Sequence, residues 1–315
     1  MRMRHTTQCG FTLIEMIVVI VITGIIGGMV AMFIRAPVQG YVDSANRAEM
    51  GDIADTALRR LARDIRTAVP NSVRLPTPAG STYIEFLPTR DGGRYRANAT
   101  GGAGNLCNVV AGNTAGDALN FDNPDTCFEI IGRPITFVAG DQIVIGSTQS
   151  DGNPPYQDPT AAACGVAATT TCIRRAIAAV GVGVDMQEVR MTSGTTLPPF
   201  AELSTQRFDV VDGTQQAVTY ACEPTVGVAC AIVGDEGTCQ LRRYWRYGFQ
   251  AAQQTPAQIA VLAHTVAILA DRVSTCNIVY DPVSQRNGLV AIRLGITRGG
   301  ESISLYHTIH VNNVP

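Results

Sequence analysis

Glu15 sets the chemical problem of this chain. It stands at the fifth residue after Gly10, and the uncharged apolar run of residues 16–34 follows it directly. A carboxylate carried into a membrane helix costs about 2.5–3.5 kcal/mol on insertion scales, so a partner has to offset that cost. The segment 242–249 interleaves arginine with aromatic side chains, and Arg242, Tyr244 and Arg246 could grip phosphates and stack on bases. The preferred reading of that segment is an amphipathic strand with one aromatic core face. His307 and His310 are three apart in a stretch that reads as strand, so they point to opposite faces and cannot share a metal. His264 stands alone on a helical pattern. Asp122-Asn123-Pro124-Asp125 carries oxygens suited to calcium, but its spacing is not that of an EF-hand loop, and an Asx turn explains it better. The chain has no Gly-x-Ser-x-Gly, phosphate loop or Cys-x-x-Cys. No catalytic residue, metal site or cofactor is therefore expected.

The elements that position Glu15 begin with the apolar run itself. Its length suits a bilayer: about 28 Å at 1.5 Å per residue. Arg2 and Arg4 precede it, which places the N-terminus in the cytoplasm. A cleaved signal peptide would show a small-residue site after the apolar stretch. Here Arg35 and an amphipathic pattern follow instead. Gly24 and Gly28 form a small-xxx-small pair that permits close helix approach, and Pro37 should kink or loosen the helix. From residue 44 to 68, Met50, Ile53, Ala54, Ala57, Leu58, Leu61 and Ile65 fall at helical spacing on one face. Arg59, Arg63 and Arg66 lie off that face, and Pro70 closes the element.

Beyond residue 70 the chain reads mainly as strand. Residues 83–87 and 94–96 flank Asp91-Gly92-Gly93 as a hairpin, and 135–138, 142–145, 207–211 and 217–222 are further strands. Residues 289–297 and 302–311 alternate cleanly around Arg298-Gly299-Gly300, whereas 261–271 looks helical. Two low-complexity loops, 98–116 and 147–165, separate the strands.

The 315 residues carry a formal net charge of −2, which argues against a general nucleic-acid binder. Of the nine cysteines, Cys9 precedes the apolar run and Cys107, Cys127, Cys164, Cys172, Cys222, Cys230, Cys239 and Cys276 follow it. An even set beyond a membrane segment suggests disulfides in an oxidising compartment. Eight cysteines allow 105 pairings. Local spacing favours Cys164–Cys172 and Cys222–Cys230, then Cys107–Cys127, with Cys239–Cys276 left by elimination.

Gly10-Phe11-Thr12-Leu13-Ile14-Glu15, behind a short basic leader and ahead of an apolar helix, resembles the processing motif of type IV prepilins and pseudopilins. The resemblance implies a prepilin peptidase that cuts after Gly10 and N-methylates Phe11. Removal of the leader takes Cys9 with it, and the new ammonium on Phe11 is the natural partner for Glu15 of a neighbouring subunit. It also implies an α+β, pilin-like fold in which a long N-terminal helix packs on a β-rich globular domain. The boundaries are 1–10 for the leader, 11–34 for the membrane or filament-core helix, 35–69 for an amphipathic periplasmic helix, and 70–315 for the globular domain with its disulfides.

Residues 57–66, Gly92-Gly93-Arg94-Tyr95-Arg96, Gly288-Leu289-Val290 and the end 310–315 are similar to the O-type minor pilins of the mannose-sensitive haemagglutinin (MSHA) pilus. The arginine-rich helix and large β domain are also similar to J-type pseudopilins of type II secretion. Partners implied are prepilin peptidase, other minor and major pilins or pseudopilins, and an inner-membrane assembly platform. A pilus-borne adhesin or DNA-binding subunit is a further alternative. In the superfamily the subunit at the extreme tip often lacks the glutamate that this chain keeps, which implies a place just below the tip.

Overall fold

The computed structural model describes residues 11–78, 80–98, 116–122, 124–149, 154–157, 172–182, 187–192, 196–281 and 287–314. Cys9 and Gly10, Cys107, Cys164 and most of the two low-complexity loops lie outside the described residues. The chain divides into two compact units, Met1–Glu49 and Met50–Pro315.

A single helix, α1 (Leu13–Arg66, 54 residues), runs through the first unit and into the second, unbroken at Pro37. In the first unit its apolar side chains are exposed, from Phe11 to Val42. α1 is long and apolar enough to cross a membrane by length and composition. In the second unit the predicted stripe is buried: Met50, Ala54, Ala57, Leu58, Leu61 and Ile65 are all at most 2% exposed. Met50, Leu58, Leu61 and Ile65 each contribute about 1.5–3 kcal/mol by leaving water, and the two alanines less.

The strands of the second unit follow in chain order. β1 (Tyr83–Phe86) is followed by β2 (Thr89–Tyr95), β3 (Cys127–Ile131), β4 (Gln142–Ile145), β5 (Arg174–Val182), β6 (Gln187–Met191) and β7 (Arg207–Val211). Then come β8 (Val218–Pro224), the short β9 (Ile232–Val233) and β10 (Glu236–Gly237), and β11 (Cys239–Trp245). A one-turn helix, α2 (Pro256–Ile259), precedes β12 (Thr265–Asp281), β13 (Asn287–Arg298) and β14 (Glu301–Asn312). They assemble as an open six-stranded sheet, β1-β8-β11-β12-β13-β14, and a closed barrel, β2-β3-β6-β5-β4-β7. The stripe of α1 packs on the sheet against Phe86, Tyr220, Leu241, Ile278, Ile292 and Leu294. Phe128, Ile143, Val189, Phe208 and Val210 fill the barrel. A third cluster, including Val69, Leu87, Tyr156, Val211 and Tyr247, joins the two.

The barrel is an insertion. β1 and β8 are neighbours in the sheet, and among the described residues every strand between them in sequence belongs to the barrel. Its first and last strands pair, Thr89 with Val211 and Arg94 with Arg207, and the Asp212 amide donates to the Pro88 carbonyl at 3.3 Å. The chain therefore leaves the sheet and returns to it at one point.

Three sequence expectations are corrected here. Residues 83–87 and 94–96 do not form a hairpin around Asp91-Gly92-Gly93: β1 joins the sheet, while the glycines lie inside β2 of the barrel. Gly93 is a packing glycine rather than a turn, since a Cβ there would sit 2.8 Å from the Phe208 ring and 2.9 Å from Ile135. Residues 135–138 are not a strand. The Gln187 side chain takes the partner's role, accepting from the Ile135 amide (2.7 Å) and donating to its carbonyl (2.8 Å). The predicted helix at 261–271 is instead largely the start of the 17-residue β12, paired on both edges with β11 and β13. By contrast, β13 and β14 follow their alternation, joined by Gly299 and Gly300 at φ 59° and 81°, the left-handed pair that a type I′ turn requires.

The disulfides are also re-paired. Cys222 bonds Cys276, and Cys230 bonds Cys239, so neither Cys222–Cys230 nor Cys239–Cys276 exists. Sheet geometry decides this. The Cys222 amide donates to Thr82 (2.8 Å), and next to it Ser81 exchanges two 2.8 Å hydrogen bonds with Ile278, drawing β8 and β12 together. Cys127 and Cys172 are each disulfide-bonded as well.

Candidate assembly and processing segment

The front of α1 is closed by a capping box. Thr12 Oγ1 accepts from the Glu15 amide at 3.4 Å, and Glu15 Oε2 accepts from the Thr12 amide and hydroxyl, each at 3.0 Å. Two of the four orphan amides of the first turn are thereby satisfied. The sequence carried this signal as Thr12-Leu13-Ile14-Glu15, the capping spacing, which a reading of Glu15 as a membrane acid passes over. Among the described residues no donor meets Oε1 of Glu15. The carboxylate is thus held in place by one oxygen and open at the other, beside the fully presented Phe11, which is 85% exposed.

The apolar side chains of the helix behind this cap are exposed in this chain. A Cβ placed on Gly24, Gly27 or Gly28 meets no atom within 4 Å, so nothing described in this chain requires glycine there. Thr23, the one hydroxyl in that stretch, turns inward to the Val19 carbonyl at 2.7 Å.

The arginine–aromatic segment resolves into structure. β11 ends at Trp245, and Arg246 turns the chain at φ 63°. Arg242 pairs with Glu223 at 3.0 Å, and the Tyr244 hydroxyl donates to the same carboxylate at 2.6 Å. Tyr244 is buried, and its ring meets His264 at a tilt of 53°. Arg243 is buried against Asp64 of α1 (2.8 Å), an anchor between helix and sheet that sequence spacing does not reveal. Of the three proposed ligand-contact residues, only Arg246 is exposed. Arg242, Tyr244 and Arg246 therefore do not assemble into an open ligand face.

The acidic loop behaves as a turn. Asp125 accepts from the amides of Asn120 (2.7 Å) and Cys127 (3.2 Å), and Asn120 Oδ1 caps Asp122 at 2.8 Å. Among the described residues no three His, Cys, Asp or Glu side chains are placed to hold a metal. Two carboxyls elsewhere are perturbed. Burial pushes Asp117 up to about 7, helped by Asp125, Glu188 and Glu129, and burial pushes Asp209 up to about 6 against the pull of Arg207.

Comparison with known proteins bears on the N-terminal segment alone. No curated protein and no solved structure matches the chain significantly. Residues 5–31 match the prokaryotic N-terminal methylation motif, so the segment that holds Gly10, Phe11 and Glu15 is of the prepilin kind, and it supports the type IV pilin and pseudopilin class.

Proposed function

We propose that this chain is a minor pilin of a type IV, MSHA-like pilus that helps initiate or cap filament assembly. Prepilin peptidase cuts between Gly10 and Phe11 and methylates Phe11. The N-terminus faces the cytoplasm, residues 11–34 hold the chain in the inner membrane, and the disulfide-bearing β domain lies in the periplasm before the subunit joins the filament. The observation that carries this reading is the cap of α1: Glu15 engaged through one oxygen, at the head of an exposed apolar helix inside a methylation motif. The open oxygen suits the ammonium that cleavage creates on a neighbour's Phe11. Gly24 and Gly28, with no contact of their own to serve, suit close helix approach in a filament core. Since Glu15 is retained, the subunit sits just below the tip, under another minor pilin.

In-cell crosslinking with mass spectrometry of partners and of the N-terminus tests this. The expected products are a chain beginning at N-methylated Phe11 and crosslinks to other pilins through the assembly platform. An intact Met1, or an unmethylated Phe11, contradicts the processing step. Crosslinks to secretion pseudopilins alone transfer the chain to a J-like role in protein export. Glu15→Leu should leave the folded β domain unchanged and abolish incorporation; normal assembly of that variant overturns the role given to Glu15.

A further inference from the structure

The second unit holds a cleft of about 770 Å³ between the barrel, the end of α1 and the C-terminal strand. That volume suits a ligand of a few rings. Arg66, Arg94, Arg133 and Arg207 line it against one carboxylate, Asp209, in a chain whose formal net charge is −2. The positive lining is thus local, built by bringing α1 and the barrel together. Arg133 is ion-paired with Asp91. Among the described residues Arg66 and Arg207 have no hydrogen-bonding partner, and Arg94 has only a long 3.4 Å contact to Gln206. All four arginines are exposed, so even with Arg133 paired to Asp91 and Arg207 acting on Asp209 the lining presents net positive charge to the cleft.

We infer that this cleft is a binding site for an acidic saccharide, a ligand carrying carboxylate or sulfate groups together with hydroxyls. Guanidinium groups take such anions through paired hydrogen bonds. The rest of the lining selects among anions. Asp209 has no hydrogen-bond donor among the described residues and sits opposite Gly92 in the β2–β7 register. A carboxylate repels a ligand that offers phosphates only, but it accepts from a sugar hydroxyl. Thr205 and Asn312 add neutral hydrogen-bonding groups to the same wall.

The site is poorly suited to nucleic acid. Single strands need exposed aromatic platforms, and the one aromatic ring in the lining, Phe208, is 2% exposed. Arg66 also lines a second cavity of about 530 Å³, with Arg63, His307 and Arg59, the last paired with Asp55 in the same lining.

The test is calorimetric titration of the full chain in detergent micelles at physiological salt, using three probes: a tetragalacturonate, the neutral maltotetraose, and a thymidine oligomer of equal charge. The uronate should bind and the neutral sugar should not. Arg66→Ser with Arg207→Ser should weaken the uronate by about a hundredfold, near tenfold for each lost charge-assisted contact, at an unchanged melting temperature. Arg246→Ser, an exposed arginine outside the cleft, should change nothing. Asp209→Asn should weaken the uronate and strengthen the oligomer. Equal binding of charged and neutral sugars overturns the inference, as does a double variant that binds like the wild type. If the oligomer binds as tightly and is lost in the same double variant, the cleft is a nucleic-acid site instead. None of these outcomes depends on the pilin reading.

Discussion

The re-paired disulfides give the sharpest test of the fold. Cys222–Cys276 closes a loop of 54 residues and Cys230–Cys239 one of 9. In the chain-entropy account, a crosslink removes entropy from the unfolded chain in proportion to the logarithm of the loop length. At 25 °C that is worth about 4 kcal/mol for the long loop and about 2.5 kcal/mol for the short one. Equilibrium unfolding of the full chain in detergent should therefore rank two double variants. Cys222→Ala with Cys276→Ala should cost more than Cys230→Ala with Cys239→Ala, by about 1.5 kcal/mol. The crossed variant, Cys222→Ala with Cys230→Ala, breaks both bridges and should cost more than either. If Cys222 and Cys230 were instead partners, the crossed variant would lose only one short loop and be the mildest of the three. Mass mapping of non-reduced peptides gives an independent readout. A linked peptide joining Cys222 to Cys230 refutes the pairing of Cys222 with Cys276.

Two further predictions concern buried charge. Glu85, fully buried, accepts from Arg74 Nε at 2.7 Å and from the Tyr247 hydroxyl at 2.8 Å; Glu85→Ala leaves the buried Arg74 without its carboxylate and should cost about 3–5 kcal/mol in chemical denaturation. A loss below 1 kcal/mol would show that the pair is not desolvated. The raised carboxyl of Asp209, near 6, means the folded state binds its proton more tightly than the unfolded state, whose carboxyl titrates near the ordinary value. Its contribution is present at pH 4 and lost as the pH rises through 6. Asp209→Asn should therefore gain stability relative to the wild type between about pH 4 and pH 7, read as the difference between two melting-temperature profiles; a flat or falling difference refutes the assignment.

What the sequence revealed follows from how far apart the interacting residues lie. The stripe from Met50 to Ile65 was legible because a helix repeats every 3.6 residues and one buried face shows as spacing. The β13–β14 hairpin was legible because its register and its Gly299-Gly300 turn are local. β12 was misread because its first residues, Val266 and Ile268, are exposed apolar side chains, and the run of Val, Ala, Ile and Leu lacks the period of two. The Asp91-Gly92-Gly93 error has the same root. The glycine is needed for Phe208, a residue more than a hundred positions away whose approach no local pattern records. At the N-terminus the methylation motif was legible because leader, acid and apolar run are contiguous, whereas the cap between Thr12 and Glu15 was passed over because the acid was read only against the membrane. The arginine cleft was not, because Arg66, Arg94, Arg133, Arg207 and Asp209 meet only once the barrel has closed.

The topology separates two tasks. The front of α1 carries the methylation motif, and the buried stripe of α1 with the six-stranded sheet forms one apolar core that includes no barrel strand. The barrel enters and leaves that frame at a single point, where Thr89 pairs with Val211 and Asp212 meets Pro88. An insertion whose ends are adjacent imposes little on its host, which is why such sites accept foreign domains. Barrel residues outside the cluster that joins Val144, Tyr156 and Val211 to the sheet can therefore change with little effect on the helix–sheet frame. Three of the four cleft arginines and Asp209 lie in the barrel segment, while Arg66 comes from the frame. The cleft thus sits where the inserted barrel meets the helix–sheet frame, with most of its charged lining on the inserted side.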